Sequence, residues 1–291
     1  MDMGDRDILV DGRTCSAGAR WDATPRPVQY IPGPPELLFG VDEVVGTSAE
    51  TLGRMTLNPL MYTADGVSPG ALGVFADTAI GSAAVAYRPS GGWAATTELT
   101  MDFCAPIPAA GGFLHACGRT AHRYATGAVA TGTITDDTGS TVAVVTERVQ
   151  FSTAAPRPRE LPAGRSATPA GEGLAQRLGL RDAGAGLELD VVDPVINPGG
   201  SLHGGVALYA SDRAAGQAIA GRAPGLETAM MNAVYLRPGP AGQTVRFDVD
   251  IEYIGRSSAL AVVRSTRTDG KVCTVVTITY RRRRDDSVRR G

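Results

Sequence analysis

The sequence predicts an α+β fold built as two tandem copies, each an antiparallel sheet wrapped around a central helix. Three observations predict it: an internal repeat at an offset of 135 residues, one Ala/Gly-rich segment in each copy that is apolar on all sides, and alternating strand-like segments after each of these. The repeat is clearest where "GVSPGALGVFADTAIG" (66–81) lies over "SLHGGVALYASDRAAG" (201–216), aligning Gly70 with Gly205, Asp77 with Asp212 and Gly81 with Gly216. His203 is matched by Ser68 and Gly204 by Pro69, so the two copies keep the acid and differ in what precedes it.

Taken in chain order, residues 1–35 read as an N-terminal extension ending in "RPVQYIPGPPE" territory, and 36–151 as the first copy. Within it, 71–87 is too apolar all round for a surface helix and suits one enclosed by sheet. Strands follow in "TTELTMDFCAPIPAAGG" (96–112) and in the period-two stretch that reverses at "DDTGS". Residues 152–173, rich in Pro, Ala, Gly and Arg, read as a linker. The second copy, 174–281, repeats the plan: a buried helix over 206–220, "TAMMNAVYLRPGPAGQ" (228–243) in the place of the first strand, and a hairpin reversing at "TDGK". Residues 282–291 form a basic tail, read as a solvated chain end.

The bulk composition narrows the function. With 291 residues and 43% hydrophobic content the chain can bury two domain cores. A net charge of −2 gives no footprint for nucleic acid or an anionic membrane. No run of about 18 apolar residues predicts a membrane span, and the acidic N-terminus lacks the apolar core of a signal peptide. The four cysteines, Cys15, Cys104, Cys117 and Cys273, lack metal or redox spacing, which predicts free thiols, no metal site and a cytoplasmic location.

The spacing Asn197-x5-His203-Gly204-Gly205-x6-Asp212, with the "T-x-x-L-x-x-x-F-x-x-P" pattern of the first copy, resembles the hotdog fold and within it the PaaI-like acyl-CoA thioesterases. The resemblance covers roughly residues 50–151 and 174–281 and implies a tandem, double hotdog thioesterase. It further implies an acyl-CoA or acyl-carrier substrate, with CoA present only as part of that substrate, and a homo-oligomer.

Geometry limits how such a site is assembled. Along one helix His203 and Asp212 stand about 13 Å apart, too far to share one carbonyl carbon. A working centre therefore pairs His203 with the acid of the other copy, as members of the resembled family do. The expected catalytic set is Asp77, Asn197, His203, Gly204 and a hydroxyl from Thr96 or Thr97, with Gly205, Val74 and Phe75 on the substrate side. Asp77 would act as general base or as nucleophile, Asn197 would orient acid or water, and His203 would position the thioester. The Gly204 N–H at a helix N-terminus would meet the oxyanion. The reciprocal set, Tyr62, Ser68, Pro69, Asp212 and Thr228, is expected to be silent, because Pro69 has no N–H to offer. A non-catalytic acyl-CoA binding or scaffolding protein is the competing class; a hotdog dehydratase is disfavoured because no histidine follows either acid at the spacing of its dyad. His115 and His122 fall in alternating strands and read as structural.

Overall fold

In a computed structural model, residues 30–46, 50–109, 111–153 and 173–282 are described. The expected N-terminal extension, linker and basic tail thus lie largely outside the described residues. The chain forms α1 (Pro34–Leu38), β1 (Val41–Gly46), β2 (Thr51–Thr56), β3 (Tyr62–Thr63), β4 (Gly66–Val67), α2 (Leu72–Ala79), α3 (Gly81–Val85), β5 (Trp93–Phe103), β6 (Phe113–Tyr124), β7 (Gly127–Asp136) and β8 (Thr141–Ser152). The second copy supplies α4 (Leu174–Leu178), β9 (Arg181–Ala183), β10 (Gly186–Asp190), α5 (Gly204–Ala220), β11 (Glu227–Tyr235), β12 (Thr244–Ile254), β13 (Ser258–Arg267) and β14 (Val272–Arg281).

Twelve strands form one antiparallel sheet in the order β1-β2-β6-β7-β8-β5-β11-β14-β13-β12-β10-β9. The two copies meet at β5 and β11, paired from Met230 opposite Asp102 to Val234 opposite Glu98. Across that seam Asn232 Nδ2 donates to Thr100 Oγ1 at 2.7 Å. The strands read as the sequence predicts: in β8, Val145, Glu147 and Val149 are buried while Thr146 and Arg148 are exposed. One inward side chain there is a carboxylate.

The first-copy helix is not a single rod. It breaks at Ile80 into α2 and α3, and the junction sits where a Cβ on Gly81 would fall 2.3 Å from Glu147 Oε1. Among the described residues no helix is long and apolar enough to cross a membrane.

The small residues of the two central helices allow close contact. A Cβ on Gly205 would lie 2.3 Å from Val74 N, so α2 and α5 touch backbone to backbone at that point. Their antiparallel symmetry then sets the N-terminus of each beside the acid of the other. Val74 and Phe75, expected to line a substrate pocket, are fully buried instead. Val74 lies at this crossing, and Phe75 packs so tightly over Gly53 that a Cβ there would meet its ring at 2.9 Å.

Candidate active site

The first centre is assembled on the N-terminus of α5. His203 is its N-cap, with extended backbone angles, and its Nδ1 accepts the N–H of Gly205 at 3.0 Å. In the neutral ring, this bond leaves Nδ1 without a proton and places the hydrogen on Nε2. Nε2 faces Glu36 Oε1 of α1 at 3.3 Å, and Nδ1 lies 3.5 Å from Asp77 Oδ2 of α2. The expected juxtaposition of Asp77 with His203 is therefore present in the geometry. Glu36, which the sequence reading missed, lies beside the expected boundary at residue 35 and closes over the imidazole.

The imidazole is under opposed influences. Burial, the largest, lowers its affinity for a second proton; the Glu36 hydrogen bond and the charges of Asp77 and Glu36 outweigh it, and the net pKa is raised above 6.5. Glu36 responds in the opposite sense: burial alone would raise its pKa, but the His203 bond and charge, with backbone donors, bring it below the usual value.

Thr96 lies at the β5 bulge, where pairing to β8 skips from Val149 to Arg148. The bulge aims Thr96 inward, and its Oγ1 lies 2.7 Å from Asp77 Oδ1 and 2.8 Å from Glu147 Oε1. Thr97, half-buried like Thr96, donates to Arg148 O at 3.2 Å, whereas the Thr96 hydroxyl is the one hydrogen-bonded to the acid. Tyr235 of β11 donates its hydroxyl to Gly204 O at 3.0 Å. A Cβ on Gly204 would stand 3.3 Å from Asp77 Oδ2, which places the acid against the first turn of α5. Gly204 N–H, at the first helical position, has no hydrogen-bond acceptor among the described residues.

Among the described residues Asn197 makes no hydrogen bond to this centre. Its Oδ1 accepts from Gly199 N at 3.0 Å, Ser201 N at 3.2 Å and Ser201 Oγ at 3.2 Å, folding the "NPGGS" turn that delivers His203. The physical reason is ordinary turn chemistry: an Asn ahead of Pro-Gly-Gly is engaged by its own backbone.

The second centre surrounds Asp212. Its Oδ2 accepts from Ser68 Oγ and, at 2.9 Å, from Gly70 N, and its Oδ1 accepts from Thr228 Oγ1 at 3.1 Å. Beside it opens a cavity of about 740 Å³, walled by Val67, Phe103, Ile107, Ile219, Leu226 and Tyr280 and reached by Asp212 and Thr228. The constellation expected to be silent thus opens onto a cavity. Pro69 stands where Gly204 stands in the first centre and brings no N–H. Tyr62, expected in this pocket, holds a loop instead, donating to Pro108 O at 3.3 Å and accepting from Gly111 N at 2.7 Å.

Comparison with known proteins agrees with this architecture. Residues 199–274 match the family described as the thioesterase superfamily. The fold is similar to the TesB protein of Mycobacterium avium subspecies paratuberculosis, at 12% identity and a TM-score of 0.60, over 86% of this chain and 98% of that one. It is also similar to acyl-CoA thioesterase II TesB2 of Mycobacterium marinum, at 13% identity and a TM-score of 0.57, over 87% and 98% of the two chains. A conserved hot dog protein from Alicyclobacillus acidocaldarius matches at 14% identity and a TM-score of 0.58, over 85% and 98%. No curated protein matches the sequence. At such identities the likeness establishes the fold, a double hotdog; the PaaI-like subgroup rests on the sequence motif alone.

Proposed function

We propose that the protein hydrolyses an acyl thioester, carried by CoA or by an acyl-carrier protein, at the Asp77 centre. The observation that carries this reading is the 3.5 Å approach of Asp77 Oδ2 to His203 Nδ1 at the first turn of α5, whose Gly204 N–H has no acceptor among the described residues. The substrate carbonyl oxygen is met by the Gly204 N–H, which adds the field of a 17-residue helix to a hydrogen bond. Asp77 takes a proton from water as the water oxygen bonds to the carbonyl carbon. The carbon–sulfur bond then breaks, the thiolate leaves and takes up that proton, and the free acid departs. Thr96 holds Asp77 in line, and His203 orders the first turn through Gly205. The thioesterase match over 199–274, which includes His203 and α5, supports the reaction class.

A second reading, hydrolysis at Asp212, is favoured by the cavity beside it. A panel of acyl-CoA and acyl-carrier thioesters assayed with Asp77→Asn and Asp212→Asn decides between them. General-base loss typically lowers turnover by about 10²- to 10⁴-fold. That loss is expected for Asp77→Asn; finding it only in Asp212→Asn transfers the reaction to the second centre. Substrate binding with no turnover in the unaltered protein identifies a binding or scaffolding protein instead.

A further inference from the structure

Glu147 is the group at this centre that the proposed reaction leaves unused. It is fully buried on β8, and its counterpart in the second copy is an aliphatic residue: β5 pairs Leu99 with Glu147, while β11 pairs Met231 with Ile278. Gly81 leaves space for it, since any Cβ there would collide with its carboxyl group. A buried carboxyl in place of a hydrocarbon is a large departure from the repeat, and burying an unpaired charge is expensive.

Proton counting assigns its state. Thr96 has one hydroxyl hydrogen and two carboxyl oxygens within hydrogen-bond distance, Asp77 Oδ1 and Glu147 Oε1. If both carboxyls were ionised, one oxygen would face the hydroxyl lone pairs with no proton between them. One carboxyl must be the donor. Glu147 is enclosed, its Oε2 without a hydrogen-bond partner among the described residues, whereas Asp77 retains 14% side-chain exposure and lies against the His203 ring and the α5 N-terminus. The charge therefore belongs on Asp77 and the proton on Glu147.

We infer that Glu147 is a positioning residue for Asp77: as a neutral carboxylic acid it donates to Thr96 Oγ1, which obliges Thr96 to donate to Asp77 and keeps that base ionised and in one orientation. This rests on the hydrolytic reading for its consequence in rate, but not for the location of the proton. Burial, followed by the charge of Asp77, raises the Glu147 pKa well above 4.5, in the same direction. The titratable groups facing the cluster are Asp77 from α2, Tyr235 from β11 and, beyond Asp77, His203 with Glu36 of α1. Tyr235 stays neutral, since burial and then the Asp77 and Glu147 charges push its hydroxyl well above 10.0.

The test is an infrared difference spectrum with three variants. The full-length protein at pH 7 should show the carbonyl stretch of a buried protonated carboxylic acid, lost in Glu147→Gln and retained in Thr96→Val. In the hydrolysis assay Glu147→Ile, which installs the residue of the second copy, should fall about 10- to 100-fold below Glu147→Gln in kcat with KM little changed, because Gln still donates to Thr96 and Ile does not. The unaltered protein is expected to lose kcat on the alkaline side as Glu147 ionises, and Glu147→Gln is expected to abolish that loss. An ionised Glu147 at pH 7, or Gln and Ile variants of equal kcat, overturns the assignment. The acid band without hydrolysis in any variant overturns the proposed function and leaves the proton where it is placed here.

Discussion

The two acid centres use nearly the same backbone and reach different chemistry. His203 and Ser68 take almost identical angles, φ −63 and ψ 134 against φ −61 and ψ 123. With histidine at that position the helix N–H of Gly205 is captured by the ring, and Asp77 keeps one hydroxyl donor, Thr96. With serine there, the equivalent N–H of Gly70 and the Ser68 hydroxyl both go to Asp212, which is then held by three donors. The residue ahead of the helix thus decides whether the first-turn donors serve the helix or clasp the acid of the other copy.

This contrast can be broken in order of size. The largest effect is the asymmetry between Asp77→Asn and Asp212→Asn in turnover described above, and equal losses would erase the distinction. Next is Gly204→Pro, which copies Pro69 into the first centre. The preceding residue already has the extended angles that proline requires, and proline is well tolerated at the first helical position. Loss of that N–H should lower kcat by about 100- to 1000-fold. Gly204→Ala is the control, since it adds the same crowding against the Tyr235 ring, 3.2 Å from a Cβ, while keeping the donor. If both variants fall equally, the N–H is not the operative group.

Thr96→Val should lower kcat by about tenfold, the rate equivalent of one hydrogen bond to a charged group, whereas Thr228→Val should leave turnover at the Asp77 centre intact. Parity between them contradicts the assignment of Thr96. Smallest is Glu36→Gln. Because the folded pKa of His203 is raised above 6.5, the stabilisation from its ionised pair with Glu36 is fully present below 6.5 and is lost as pH rises through the folded value. The thermal stability lost in Glu36→Gln should therefore be larger at pH 6 than at pH 9, by on the order of 1 kcal/mol. A loss that does not change with pH shows that the imidazole stays uncharged.

The repeat, the enclosed helices and the alternating strands were legible in the sequence because each depends on local pattern. The pairing of Asp77 with His203 was legible through the offset of 135 residues, since symmetry and helix length together exclude His203 acting with its own Asp212. What escaped has identifiable causes. Glu147 sits in "VVTERVQF", where a Glu beside an Arg reads as a surface pair; counting strand parity from Val145 to Val149 would have turned it inward. Glu36 lies in a Pro-rich stretch with no periodicity to tie it to a histidine 167 positions later. For Asn197 the sequence could not separate the two roles, because the turn bonds that its Oδ1 makes and a catalytic task call for the same residue type. The cavity beside Asp212 depends on how loops and α5 leave space, which no residue pattern encodes.

Strand β11 is hydrogen-bonded on both edges, to β5 and to β14, and it carries Thr228 to one centre and Tyr235 to the other. It therefore acts as a stiff strut: seven residues of extended chain hold the Thr228 and Tyr235 positions roughly 23 Å apart, and between them α5 spaces the two acid centres by about 13 Å. A bivalent compound with two acyl arms must span about 13 Å to engage both centres at once.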